Sequence, residues 1–315
     1  MMNIWALGDA VADLLPIGDR RYEACPGGAP VNVAAGAARL GCRSGFIGRV
    51  GDDPFGHLLQ QTLREYGVNT QAMELDDQHR TSTVVVSLGK GGERDFTFLV
   101  NPSADQFLSA QALPEFGADI LHFCSLALVA PACRDTLAQA IVGIKQQHGL
   151  LSFDVNLREQ MWPDPESMLE TVRHFARQAD ILKLSEEEWY WLTQSQSFAE
   201  AITGLEAYPA TLKVVTYGAQ GAMVLYQGNV VHFSGYVVES VDTTGAGDAF
   251  MAGLLASLAQ QGMPDDITQL HRAMAQASAC GALATTQKGA LSAIPDRDAV
   301  AQFIAARPWP EYEMK

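Results

Sequence analysis

The chain has 315 residues, 48% of them hydrophobic and 18% charged, a balance that suits one large α/β domain or two smaller ones. A formal net charge of −15 repels phosphodiester backbones and anionic lipid alike. Nucleic acid and membrane surfaces are therefore excluded as partners, and any phosphate-bearing ligand must be held by local donors.

The first segment, "MMNIWALGDAVADLLP", has no basic flank and is broken by Asp9 and Asp13, so it is expected to be neither a signal peptide nor a membrane span. Its "NIWALGD" reads as a strand. "APVNVAAGAARLG" (29–41) follows as a helix, with Pro30 in the first turn and Gly41 past the end. "SGFIGRV" is a strand, and "PFGHLLQQTLREYG" a helix with Leu58, Leu59, Thr62 and Leu63 on its inner face. "TSTVVVSLGKGGERDFTFLV" (81–100) breaks the alternation as strand, glycine turn and strand. It predicts a hairpin in a small projecting sheet, a candidate lid or dimer contact; the alternative is a hairpin extending the main sheet's edge.

"DILHFCSLAL" and "LLSFDVN" read as strands flanking the helix "CRDTLAQAIVGIKQQHG". "ADILKLS" and "TLKVVTYG" are further strands. "DAFMAGLLASLAQQG" places Phe250, Met251, Leu254, Leu255 and Leu258 at helical spacing, and Gly262 and Pro264 mark its stop. The tail "ARPWPEYEMK" is expected to be a loose end. Alternating strands and helices predict a mainly parallel sheet covered on both faces. No linker, low-complexity run or repeat divides the chain. The five cysteines (25, 42, 124, 133, 280) fall in no paired motif, which predicts buried thiols in a reducing, cytoplasmic compartment.

Four constellations carry chemistry. In "VDTTGAGDAF", Gly245, Ala246 and Gly247 open a helix, where unpaired amides and a positive macrodipole favour an anion and glycines allow its close approach. Asp248 then lies in the first turn. The plainer alternative is a helix capped by Asp242 or Thr244, with Asp248 complementing the dipole. A cap explains one acid but not both glycines. No Walker A run exists, Phe250 stands where a dinucleotide fingerprint needs its third glycine, and H-E-x-x-H and G-x-S-x-G motifs are absent.

Near the N-terminus, Asp9 and Asp13 follow the first strand, and "CPGGAPVN" adds Gly27, Gly28 and Asn32, groups suited to polyol hydroxyls. In "SFDVNLREQMW", Asp154, Asn156 and Arg158 end a buried strand; Arg158 would hold a carboxylate or phosphate, or form a surface ion pair. In "LKLSEEEW", Ser185 and Glu188 have capping-box spacing, and Lys183 is anomalous at an apolar strand end.

"GGAPVNVA" and "DTTGAGDAF" together resemble the two signatures of the ribokinase-like (PfkB) carbohydrate kinases, and the strand–helix order fits that family over essentially all 315 residues. "GDAVADLLP", "FIGRVGDDPFG", "RTSTVVV" and "KLSEEE" resemble its bacterial fructokinase branch, with aminoimidazole riboside kinases the nearest competitor. The resemblance implies a three-layer α/β/α domain over 1–315, with a β-sheet lid formed by roughly 10–26 and 81–100. It implies ATP-dependent phosphorylation of a sugar, fructose above other sugars and nucleosides, with Asp248 as base and Gly245, Ala246 and Gly247 as anion hole. Asp9, Asp13, Gly27, Gly28, Asn32, Phe98 and Arg158 match sugar-binding positions. Lys183, Glu188, Thr216, Gly218 and Gly221 match the ATP and Mg²⁺ region, Glu188 acting through water. Asp242 and Thr244, with carbonyls near Ala284, Gln287 and Gly289, match a monovalent-cation (K⁺) site; many relatives have alanine at Gln287. Ser278 stands where some relatives carry an adenine-contacting Asn. A homodimer through the lid completes the expectation. A sensor that has lost catalysis and a nicotinamide-dependent oxidoreductase are the rival classes; the intact "GAGD" opposes the first, the missing glycine the second.

Overall fold

A computed structural model describes residues 1–88 and 94–314. The strands are β1 (Ile4–Leu7), β2 (Val11–Pro16), β3 (Tyr22–Gly27), β4 (Ser44–Gly51), β5 (Met73–Asp76), β6 (Ser82–Leu88), β7 (Arg94–Phe98), β8 (Ile120–Cys124), β9 (Leu150–Asp154), β10 (Ile181–Ser185), β11 (Leu212–Thr216), β12 (Gly221–Tyr226), β13 (Asn229–Ser234) and β14 (Tyr312–Met314). The helices are α1 (Ala29–Arg39), α2 (Pro54–Glu65), α3 (Pro131–Gln146), α4 (Pro165–Ala176), α5 (Glu186–Thr193), α6 (Phe198–Glu206), α7 (Ala246–Gln261), α8 (Ile267–Ala284) and α9 (Arg297–Ala305).

Ten strands form the main sheet in the order β14-β13-β12-β11-β10-β9-β8-β1-β4-β5. From β11 to β5 neighbours run parallel; β12, β13 and β14 add an antiparallel end. Alternate side chains feed two cores. Ile4, Ile120, Ile181 and Val214 pack under α1, α7, α8 and α9. Trp5, Leu121, Leu182 and Val215 pack under α3, α4, α5 and α6. Strands buried on both faces are largely apolar, so these segments read as hydrophobic runs, and the buried His122, Ser152, Asp154 and Lys183 stand out within them.

Helices α1, α7 and α8 approach closely because small residues line their contacts. A Cβ on Gly36 of α1 would lie 2.6 Å from the Ala252 Cβ of α7. One on Gly253 of α7 would lie 2.8 Å from the Cys280 Sγ of α8. This packing brings the N-terminal ends of α1 and α7 together over the sheet.

The 81–100 hairpin forms as β6 and β7, paired from Val84 with Phe98 to Leu88 with Arg94. Of its "GKGGER" turn, residues 89–93 lie outside the described residues and Arg94 opens β7. These strands join β2 and β3 in a separate four-stranded sheet, order β3-β2-β6-β7, so they do not extend the main sheet's edge.

Two expectations are corrected. The tail is not loose: Tyr312–Met314 pairs antiparallel with β13, and His271 Nε2 bonds Pro310 O at 2.7 Å while its ring meets Trp309 and Tyr312. Its aromatic residues supply the apolar contacts that anchor a terminal strand. "DILHFCSLAL" is a strand only to Cys124 and then a 3-10 turn over Ser125–Leu128. No disulfide forms among the five cysteines; Cys42, Cys124, Cys133 and Cys280 are buried and Cys25 is half-buried. Among the described residues no helix is long and apolar enough to cross a membrane.

Candidate active site

The carboxyl ends of β1, β9, β10 and β11 meet the first turns of α1 and α7 at one place, where open α/β sheets bind ligands. At the head of α7, Gly245 is left-handed (φ 75°) and no side chain caps the helix. Helices α2, α4, α5, α6, α8 and α9, by contrast, are capped by Asp53, Asp164, Ser185, Ser197, Asp266 and Asp296. Asp242 is occupied elsewhere. Its Oδ1 accepts from Thr244 N (3.1 Å) and Oγ1 (2.7 Å), and its Oδ2 from Gly289 N (2.9 Å). The amides of Val241 and Asp242 also donate to Thr285 O at 2.7 and 3.1 Å. The capping alternative therefore fails. Asp242 ties the approach to α7 onto the loop after α8; Ala246 N donates to Thr243 O at 3.2 Å, and no side chain caps the amides of the first turn.

Asp248, half-buried in the first turn, accepts from Asn32 Nδ2 at 2.7 Å, which joins the two conspicuous sequence motifs. Burial raises its carboxyl above the ordinary value; the Asn32 bond and the charges of Lys183 and Arg158 restrain the rise.

Lys183 loses its strangeness once its neighbour is seen. It lies opposite Asp154 in the parallel register of β9 and β10, and its Nζ holds both carboxylate oxygens at 3.0 and 2.9 Å. Burial opposes its charge, yet Asp154, Glu188 and Asp248 keep the ammonium above the usual lysine value. Burial pushes Asp154 up to about 7 although Lys183 draws it down. A Cβ on Gly247 would come 3.4 Å from Lys183 Nζ, so the ammonium lies against the α7 turn. Behind it His122, pushed down to about 3 by burial and by Lys183, stays neutral and shares a 3.0 Å bond with Ser152 Oγ.

On the N-terminal side Asp9 is 7% exposed, and its Oδ1 is buried with no hydrogen-bond partner. Burial and the like charge of Asp105 push it up to about 7, against the opposing charge of Arg158. A Cβ on Gly28 (φ 107°) would sit 2.6 Å from Asp9 O, and one on Gly27 would strike the Asp13 carboxylate. Only glycine leaves both acids room. Asp13 comes from β2 and Phe98 from the end of β7, so the small sheet closes over the cleft; Phe98 lines it with Asp9, Val11 and Met161. Arg158 is exposed and donates to Leu157 O at 2.8 Å, while its charge reaches both Asp9 and Asp248.

On the opposite side the capping box forms: Ser185 Oγ accepts from Glu188 N (3.2 Å) and Glu188 Oε2 from Ser185 N (2.8 Å). Glu188 Oε1 accepts from Leu157 N at 2.7 Å. Each oxygen retains a lone pair for a metal-bound water. Thr216 Oγ1 donates to Leu184 O at 3.3 Å, and Gly218 and Gly221 take φ of 57° and 108° beside it. Ser278 is buried in α8, which leaves its hydroxyl little surface to offer a base. Gly289 (φ 93°) reaches Asp242, Ala284 ends α8, and Gln287 is exposed. Among the described residues no group of three or more His, Cys, Asp or Glu is placed to hold a metal ion.

Sequence reasoning missed Asp105, which no motif contains, and the Asn32–Asp248 bond, which joins residues 216 positions apart.

Comparison with known proteins gives this geometry a context. Residues 4–297 match the model of the pfkB family carbohydrate kinases, and the chain belongs to that family. It is an α/β carbohydrate kinase of ribokinase-like fold. A fructokinase of Salmonella typhimurium is 50% identical over 304 residues, spanning 96% of this chain and 99% of that protein. A fructokinase of Vibrio cholerae O395, solved with fructose, ADP and calcium ion, superposes with a TM-score of 0.91 at 46% identity, over 96% of this chain and 99% of that one. An aminoimidazole riboside kinase of Salmonella enterica, solved with aminoimidazole riboside and an ATP analogue, gives 0.89 at 35% identity, over 96% and 99%.

Proposed function

We propose that the protein transfers the γ-phosphoryl group of ATP to the primary hydroxyl of fructose, giving fructose 6-phosphate and ADP. The observation that carries this reading is the turn at 245–248: a helix start that no side chain caps, the buried ammonium of Lys183 and the Asp248 carboxylate meet there. Phosphoryl transfer needs this kind of site, because catalysis is positioning and charge stabilisation more than covalent chemistry. Asp248 accepts the proton of the attacking hydroxyl. Its raised carboxyl is a better base than an ordinary aspartate. The Gly247 amide stabilises charge developing on the phosphoryl oxygens, joined by Ala246 N once it exchanges Thr243 O for the ligand, and Asn32 fixes the carboxylate's direction. Asp9, Asp13 and Arg158 hold the sugar beneath Phe98, with the small sheet acting as a lid on one domain. Lys183, Thr216, Gly218 and Gly221 line the nucleotide side, with Ser278 buried behind it.

A magnesium ion bound with ATP would neutralise phosphate charge, touched through water by Glu188. A potassium ion between Asp242, Thr244 and the carbonyls of 284–289 would fix the position of the α7 amides. The two segments that would hold it are already tied by the 2.9 Å bond from Gly289 to Asp242. Ile17 just after β2, Tyr22 at the start of β3 and Leu99 just after β7 are 48%, 54% and 57% exposed, apolar side chains that a homodimer through the lid would cover.

The test is ADP release with fructose, ribose and aminoimidazole riboside, each with and without K⁺. Fructose should give the highest kcat/KM, and K⁺ should raise it. Preference for the riboside would replace the fructose reading, and no ADP release with any acceptor would remove the kinase reading.

A further inference from the structure

Asp105 belongs to none of the motifs, yet it faces the sugar side of the site. It lies in the 3-10 turn Ala104–Phe107, just after the small sheet's last strand. The segment is anchored on both sides: Ala104 N donates to Arg80 O at 2.9 Å, and Thr136 Oγ1 of α3 donates to Leu108 O at 2.9 Å. Asp105 and Asp9 line one narrow cleft whose remaining walls include Val11, Leu126, Ala127 and Met161.

Each of the two carboxylates has its Oδ1 buried without a hydrogen-bond partner, and Asp9 as a whole is more than nine-tenths buried. Buried acceptors without donors are rare in folded proteins and ask for a ligand that supplies O–H or N–H groups. Burial raises both carboxyls, that of Asp105 against a hydrogen bond from the Ser103 side chain, and Asp105 is the largest like charge acting on Asp9. A hard cation is poorly matched, since it takes six or more oxygen ligands and the other walls are largely apolar. A hydroxyl of a polyol is well matched: it would donate to the carboxylates while the neighbouring C–H groups meet Leu126 and Met161.

We propose that Asp105 is a specificity-determining residue that accepts, beside Asp9, from a hydroxyl of the sugar. This rests on the sugar-kinase reading and adds a contact to it. The anchored turn holds the carboxylate at a fixed place in the cleft, so it reads one hydroxyl position.

The test compares wild type, Asp105→Ala and the isosteric Asp105→Asn with fructose and with singly deoxygenated fructoses, measuring kcat, both KM values and Tm. Asp105→Ala should raise the fructose KM about 10- to 100-fold, as loss of a hydrogen bond to a charged group does, and leave the ATP KM within about twofold. One deoxy sugar penalised by wild type should be used by Asp105→Ala as well as fructose is. Asp105→Asn should fall between. An unchanged fructose KM in a folded Asp105→Ala, or deoxy penalties that all persist in it, would overturn the inference while leaving the kinase reading intact. A wild-type enzyme that releases no ADP with fructose would overturn both.

Discussion

Lys183 gives the sharpest separation of stability from activity. Its side chain is 8% exposed and that of Asp154 1%, with 2.9 Å between them. Removing one member of a buried pair leaves the other uncompensated and costs about 3–5 kcal/mol, whereas replacing both with apolar residues of similar volume is close to neutral. Lys183→Met should therefore lose about that much stability at pH 8, and Lys183→Met/Asp154→Leu should return to within about 1–2 kcal/mol of wild type. The pH dependence has a definite sign. Asp154 in the native pair is pushed up to about 7, above its ordinary 3.8, and losing Lys183 raises it further. A carboxyl whose folded value is raised contributes stability that is complete below its unfolded value and is lost as pH rises through the folded one. The single variant's deficit should thus be largest at pH 8 and shrink toward pH 5. Both variants lose the ammonium against the α7 turn, so kcat should fall about 10²- to 10³-fold in each. Urea unfolding at the two pH values, with ADP release, measures both effects. A single variant within about 1 kcal/mol of wild type at pH 8 would refute the buried-charge argument. Recovery of turnover in the double variant would refute a role for the ammonium in transfer.

Asp9→Asn should stabilise the protein above pH 7. Its carboxyl is pushed up to about 7 from 3.8, so ionising it costs the fold up to about 4 kcal/mol, and the gain should fade as pH drops toward 4. Urea midpoints across pH check this, with fructose turnover falling in the same variant. Gly245→Ala forces a side chain into φ 75° with its Cβ 2.9 Å from Ala290 Cβ. We expect about 1–3 kcal/mol of lost stability and a lower kcat, read by unfolding and steady-state kinetics. Asp242→Ala removes three acceptor contacts behind the anion hole and should abolish any activation by K⁺. A K⁺ titration of kcat as steep as wild type's would contradict that placement.

Much of this architecture is legible in the sequence because its central strands are buried on two faces and helices such as α2 and α4 on one. "KVV" at 213–215 and "ILKLS" at 181–185 could hardly be anything but parallel strands. The sequence hid what depends on long-range partners. Nothing in "ARPWPEYEMK" shows that Tyr312 will meet Phe233, so a polar, proline-broken tail reads as loose. The helix α8 is hard to read from the sequence because its alanines dilute the apolar period. The glycines of 245–247 announced the site, since their cost in helix propensity needs a reason. Lys183 looked strange for a sound cause: a cation in a buried strand requires an anion, and Asp154 supplies it one strand away. Asp105 left no signal, because a single acid in a loop acquires meaning only when the fold buries it beside another.

The central claim is that Asp248 takes the proton from a sugar hydroxyl at an anion-binding helix start. Single-turnover phosphorylation of fructose by wild type, Asp248→Ala and Asp248→Asn, with ATP binding measured directly by calorimetry, tests it most closely. The variants should bind ATP within about twofold of wild type and transfer phosphoryl at least about 10³-fold more slowly. Transfer at near wild-type rate by either folded variant would contradict the account.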